Sequence, residues 1–298
     1  MNKEVAIIIP HKGLGDIIFH HSFIKSIYKK HNKKIVLFAN KSTNVNFIYN
    51  KCKFIKKIKI IDLKRPNFFL YIFKMFKIFF YLYNFKYLNI YYTGNAKWHK
   101  ITLKLLSKIK RSNLYYSKKK NKYIINFLSI FLKNINIKDT LDFKLNVPTN
   151  ITKVFKKKLS KFKKPWVFLS IDTSEDQIQI PNKLLFAILS KLKKNYGTIF
   201  VNSSVENKNK KTLPDHPHIV RTSNFNITEI NYIIKYSNFF IGNESGPAVL
   251  ATLLKKKMVI FLNKKVIPES TKMPGIVQRR YFHIHKLRNN YNNFLNIL

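Results

Sequence analysis

The feature that most constrains this chain is its opening. A short β-branched run, Val5 to Pro10, breaks at His11-Lys12-Gly13-Leu14-Gly15 and passes directly into a segment with helical spacing. An apolar run of that length, closed by a glycine turn, is the pattern of a strand buried on both faces of a parallel sheet. From Asp16 to Lys30 the side chains Ile17, Ile18, Phe23, Ile24, Ile27 and Tyr28 recur close to the period of an α-helix. Strand, turn and helix in this order begin a βαβ unit, because parallel strands need a crossover between them.

The pattern repeats along the chain. Strands are predicted at Lys34–Ala39, Ile58–Asp62 and Tyr87–Tyr92, with a weak helix near Thr43–Asn50 and a long one from Pro66 to about Tyr83. A polar, proline-bearing stretch near Asn146–Ile151 reads as a linker. Beyond it strands are predicted at Trp166–Ile171, Thr198–Val201, Phe239–Ile241 and Met258–Leu262, with helices at Lys183–Asn195, Thr228–Tyr236 and Pro247–Leu254. Such alternation implies two α/β halves with mostly parallel sheets and right-handed crossovers. The expected division is 1–148, 149–278 and a basic tail, 279–298, that packs in part as a terminal helix.

Composition agrees with two folded domains. A chain of 298 residues with 46% hydrophobic side chains and 7 glycines is neither disordered nor collagen-like. One cysteine, Cys52, excludes an internal disulfide framework and a cysteine-based zinc site. The first apolar stretch is too short for a secretion signal or a membrane span, so a cytoplasmic location is expected. The 57 Lys and Arg against 13 Asp and Glu give a net charge of +44, which attracts polyanions: nucleic acid, anionic lipid or phosphorylated substrates. Charge alone does not choose among them, and a sequence saturated with Lys, Asn and Ile also fills solvated positions with lysine.

Two segments have the residues for chemistry. The first is Lys12-Gly13-Leu14-Gly15-Asp16, at the end of a strand and the start of a helix, where α/β sheets gather ligands. It fails as a dinucleotide fingerprint: Ile18 stands where a third glycine belongs, and Asn40 ends the second strand where an acid would bind a ribose. Asp16 is one of three carboxylates in the first 138 residues, with Glu4 and Asp62. It can act as a first-turn acid worth ~1 kcal/mol to the helix, or as a functional carboxylate at the mouth of a cleft.

The second segment runs from Phe239 to Leu262, an apolar strand, a turn Gly242-Asn243-Glu244-Ser245-Gly246, and a helix with Pro247 near its first position. Backbone amides of Ser245, Gly246 and Ala248 at a positive helix end make a site for phosphate or a sugar hydroxyl. Ser245 alone would serve a plain helix cap, but the combination is richer than a cap requires.

Together these segments resemble the heptosyltransferase family of lipopolysaccharide synthesis, glycosyltransferase family nine, over most of the chain. The resemblance implies the GT-B fold, two Rossmann-like domains facing a cleft, and an inverting, metal-independent transfer without a cofactor. It implies a nucleotide diphosphate sugar as donor, bound mainly by the second domain, and a glycolipid or glycan acceptor bound by the first. On this reading Asp16 is the general base, Lys12, Gly13 and Gly15 form the acceptor-side phosphate loop, Glu244 contacts the donor sugar, and Asn243, Ser245 and Gly246 hold the diphosphate. Two departures stand out. Val249 replaces the family's histidine, and Asp176 to Lys183 has neither the basic residue nor the tryptophan usual there, so that Lys183 is the candidate substitute. The competing expectation is a degenerate homologue acting as a basic membrane-surface or nucleic-acid binding protein.

The remaining candidates are weaker. His216 with His218, and His283 with His285, lack the further ligands of a transition-metal site, and no metal is expected. The acidic loop Asp172 to Asp176 reads as a helix cap or a sugar contact. Pro66 to Leu88 is nearly apolar all round with Lys74 and Lys77 one turn apart; it is either a buried domain helix or one lying in an anionic membrane interface, at the inner face of the cytoplasmic membrane. No RNP, KH or zinc-finger pattern supports nucleic acid, though the charge leaves it open.

Overall fold

A computed structural model describes residues 4–61, 73, 76, 79, 80, 83, 87–94, 96–117, 124–171, 180–202, 213–262, 279–283 and 292–295. The chain forms two compact units, Met1–Asn146 and Val147–Leu298.

The first unit contains β1 (Glu4–Ile9), α1 (Leu14–His31), β2 (Ile35–Asn40), a 3-10 turn (Lys41–Thr43), α2 (Val45–Tyr49) and β3 (Ile55–Ile61). Next come α3, described at residues 73, 76, 79, 80 and 83, then β4 (Tyr87–Tyr92), α4 (Lys97–Lys110), β5 (Asn113–Tyr116) and α5 (Ile124–Asn134). The sheet has the order β3-β2-β1-β4-β5 and every pairing is parallel. β1 is central, which is why Val5 to Ile9 are apolar without alternation and all buried.

Side chains alternate across each strand, so the sheet has two covered faces. On one, Ala6, Ile8, Val36, Phe38, Ile90 and Tyr92 meet Leu103 and Leu106 of α4, with Phe79 of α3 against the same cluster. On the other, Phe23 of α1 lies edge-on to Tyr91, with ring centroids 6.4 Å apart, and tilts against Phe131 of α5 at 5.3 Å. The stretch after α5 is strapped to α1 by polar contacts: Ser22 donates to Asp139 at 2.6 Å, the Thr140 amide donates to Ser26 at 2.9 Å, and Lys25 pairs with Asp142.

The second unit contains α6 (Lys153–Ser160), β6 (Trp166–Ser170), α7 (Asn182–Asn195), β7 (Thr198–Asn202), β8 (Ile219–Arg221), α8 (Ile227–Tyr236), β9 (Phe239–Asn243), α9 (Gly246–Leu253), β10 (Met258–Leu262), β11 (Arg279–His283) and α10 (Asn292–Leu295). Its sheet, also parallel, has the order β11-β10-β9-β6-β7-β8. Leu184, Leu185, Ile188 and Leu192 of α7 close one face over Val167, Leu169, Ile199 and Ile241.

The basic tail holds a strand as well as a short terminal helix. Arg279–His283 is a strand, paired from Met258↔Arg279 to Leu262↔His283, and only Asn292–Leu295 is helical within the described tail. The reason is packing. β10 is wholly buried, and a strand beside it satisfies a ladder edge that a helix would leave open. Phe282 then meets the buried Phe294 at 5.1 Å, which anchors α10 on the core. α4, β5, α5, α6 and β8 also lie outside the elements predicted from sequence.

Candidate functional site

In an open parallel sheet, crossovers that leave a central pair of strands in opposite directions part at the carboxyl ends of those strands and open a crevice. The strand orders put that break between β1 and β4 in the first unit and between β6 and β9 in the second.

In the first unit β1 ends at Ile9, and Gly13 is the N-cap of α1. Asp16, third residue of the helix, reaches back so that its Oδ2 accepts the Gly13 amide at 3.1 Å, half of a capping box. Lys12 and Gly13 are exposed, Gly15 and Asp16 half-buried. The Lys12 carbonyl accepts from Ser42 Oγ at 2.9 Å, tying this turn to the loop after β2. Across the break, the Thr93 amide donates to the Ile8 carbonyl at 3.1 Å and extends the β1–β4 ladder. Gly94 follows where a Cβ would stand 2.4 Å from Pro10 Cγ and from the Tyr92 hydroxyl, so the close approach of the two loops requires glycine.

Sequence reasoning missed the histidines beside Asp16. His20, one helical turn on, is fully buried; its Nδ1 donates to the Asp16 carbonyl at 2.6 Å and its Nε2 meets Thr93 Oγ1 at 3.0 Å. Burial, with a smaller contribution from His11, pushes its pKa down to about 3, although the Asp16 carbonyl opposes the shift. The ring is therefore neutral near pH 7 and acts as a fixed strut. His11 lies 5.2 Å from it, centroid to centroid, with Nε2 3.4 Å from the Thr93 carbonyl. The available signal was the i, i+4 spacing of Asp16 and His20.

In the second unit Gly242 is paired with Ser170, and a Cβ there would lie 2.4 Å from the Ser170 carbonyl. Glycine lets β9 and β6 close at this point. Asn243 is fully buried; its Nδ2 donates to the Ile171 carbonyl at 2.8 Å, while its Oδ1 has no hydrogen-bond partner. Glu244, Ser245 and Gly246 are half-buried. Ser245 is the N-cap of α9 but caps no amide; its Oγ is 3.3 Å from Ser170 Oγ. The first intrahelical bond runs from the Val249 amide to the Ser245 carbonyl at 3.1 Å. The amides of Gly246 and Ala248 precede it and have no acceptor within the helix. Asn243, Glu244, Ser245 and Gly246 thus gather at one strand end.

Lys183 is exposed in the first turn of α7, the helix after β6, and so on the same sheet edge as the Ser245 turn. Val249 is buried and can neither donate nor accept through its side chain. Asp172 to Asp176, Gln179 and His285 lie outside the described residues. The His216 and His218 rings are 5.2 Å apart, and among the described residues no three His, Cys, Asp or Glu side chains gather as metal ligands would.

No protein-family model matches the sequence, and no curated protein matches it. Solved structures do match the fold. A glycosyl transferase of family 9 from Veillonella parvula has a TM-score of 0.72 and 11% identity, covering 94% of this chain and 86% of its own. ADP-heptose lipopolysaccharide heptosyltransferase II of E. coli has a TM-score of 0.69 and 11% identity, covering 99% and 97%. E. coli heptosyltransferase WaaC with ADP has a TM-score of 0.64 and 8% identity, covering 94% and 93%. The chain is thus similar, over nearly its whole length, to glycosyltransferase family 9 and heptosyltransferase structures, and its two parallel-sheet units have their GT-B fold.

Proposed function

We propose that the protein is a glycosyltransferase that moves a sugar, heptose or a related one, from a nucleotide diphosphate sugar to a glycolipid or glycan hydroxyl in cell-surface polysaccharide synthesis. The observation that carries this reading is the turn Asn243 to Gly246. A fully buried amide with an unpartnered oxygen and a helix start meet there, where the strand order breaks. The amides of Ser245, Gly246 and Ala248 hold the donor diphosphate, the positive end of α9 and Lys183 offset its charge, and Glu244 bonds the donor sugar. That a similar fold is seen with ADP supports a nucleotide donor.

The reaction is an inverting displacement. The acceptor oxygen bonds the anomeric carbon from one face as the bond to the diphosphate breaks on the other, and the nucleoside diphosphate leaves with the electron pair. Asp16 takes the acceptor proton. Lys12 and the Gly15 amide hold an acceptor phosphate, while the Gly13 amide stays on Asp16. Since α9 and Lys183 offset the leaving charge, the mechanism needs no metal ion, and its place is the inner face of the cytoplasmic membrane.

A thermal-shift panel of nucleoside diphosphates and nucleotide sugars tests this. A ligand at about 100 times its dissociation constant adds ~2.7 kcal/mol. We expect one nucleotide family to raise the melting temperature. A flat panel sinks the reading and favours a basic binding protein that kept the fold, for which Val249 in place of a histidine is the observation.

A further inference from the structure

We infer that the layer formed by α3 and α4 is a docking surface for an anionic lipid bilayer. Phe79 of α3 packs on the first sheet in the same cluster as Leu103 and Leu106 of α4. Both helices therefore cover one sheet face, and their opposite sides point away from it.

Those outer sides are apolar. In α3, Phe73, Phe76, Phe80 and Tyr83 are 70%, 58%, 61% and 41% exposed, and their spacing of three, four and three residues makes one stripe. In α4, Ile101, Leu105 and Ile109 recur every four residues and are 38%, 56% and 56% exposed. Monomeric soluble proteins rarely leave apolar stripes on two helices of one face in water. Lysines flank the second stripe: Lys97, Lys104 and Lys108 are exposed in α4. Lys74 and Lys77 of the α3 segment lie outside the described residues.

Charge selects the occupant. A second copy would bring another +44 against these lysines and is disfavoured by repulsion. Nucleic acid satisfies the charge and its bases can stack on the rings, but it offers no hydrocarbon to the aliphatic stripe of Ile101, Leu105 and Ile109. An anionic bilayer supplies both, with headgroup phosphates for the lysines and an acyl boundary for the rings, as for helices that lie in the membrane plane. No helix among the described residues is long and apolar enough to cross a membrane.

The test is flotation of the full chain with phosphatidylcholine vesicles, with and without phosphatidylglycerol, in the absence of any sugar donor. The outcome is thereby independent of whether the protein transfers sugar. We expect binding at least ~10-fold stronger to the anionic vesicles. Phe76→Ser with Phe80→Ser, and separately Leu105→Ser with Ile109→Ser, should each weaken it by ~10-fold or more, since each pair removes inserted apolar area. Lys97→Glu with Lys108→Glu should remove most of the preference for anionic lipid. The inference is overturned if the serine pairs bind like the parent, which would make the attraction purely electrostatic. It is also overturned by equal binding to neutral and anionic vesicles, or by a parent dimer that the serine pairs dissociate without loss of vesicle binding.

Discussion

The imidazole of His20 and the hydroxyl of Thr93 meet at 3.0 Å in full burial, joining α1 to the loop after β4. This contact spans the break in strand order of the first unit and holds Asp16 against the β4 side, through the bond from His20 Nδ1 to the Asp16 carbonyl. Thr93→Val keeps the shape but leaves the buried Nε2 unpaired. It should lower stability by about 1–3 kcal/mol, read as a drop in urea midpoint without a change of slope. An unchanged midpoint would show that water replaces the hydroxyl.

Acid should destabilise the protein before carboxylates titrate. An unfolded histidine binds its proton near pH 6.5. In the fold His20 is pushed down to about 3, chiefly by burial, and His21 to about 4, by burial first and Lys25 second. The unfolded chain therefore takes up protons first, so stability falls as pH drops below about 6.5 and the loss levels off near the folded values. Each ring contributes up to ~1.4 kcal/mol per pH unit inside that window and nothing above it. Lys25 holds the Asp142 carboxyl below its usual range, which adds loss in the same direction at lower pH. Thermal melts between about pH 7 and pH 5 check this, and a flat melting temperature would contradict it.

Asp16→Asn separates the capping contact of this residue from its proposed role as base. The asparagine oxygen can still accept the Gly13 amide, so the cap survives, but it cannot take a proton. The variant should fold, bind donor like the parent, and transfer sugar ~10²-fold or more slowly. Near-parental turnover would reduce Asp16 to a capping residue.

Glu244→Gln should preserve nucleoside diphosphate binding while weakening use of the intact donor sugar, whereas Gly246→Val should block the diphosphate itself. Titration calorimetry with the nucleotide and its sugar conjugate distinguishes these. Equal loss of both ligands in Glu244→Gln would assign Glu244 to the shape of the turn.

Gly242→Ala should lower stability by about 1–3 kcal/mol, because the added methyl meets the backbone of β6 and not a movable side chain. Thermal unfolding with and without nucleotide is the readout. A neutral effect would mean that the two strands separate easily at this point.

The parts of the fold that sequence revealed are those fixed by short-range pattern. β1, β9 and β10 are apolar runs closed by turns, and α1, α7 and α8 follow the helical period, so their residues announce them. β11 did not: Arg279 to His283 looks like a basic tail until β10 stands beside it, because its reason to be a strand lies in a neighbour distant in sequence. β5, Asn113–Tyr116, is equally opaque, being an edge strand with Asn113 exposed and the other three residues half-buried. The same holds at the site. The Asn243–Gly246 turn is contiguous and was legible, whereas Thr93 joins His20 only through a strand order that no local period encodes.

Every strand pairing described in both sheets is parallel. No hairpin is available among them to nucleate folding with a tight turn, and each ladder requires closure of a crossover loop before its bonds form. Contacts remote in sequence dominate, so refolding should be slow for a chain of this size. During that interval apolar strands such as β1 and β10 stand with open edges. Newly made chains would then be exposed to aggregation for longer than the stability of the finished fold suggests.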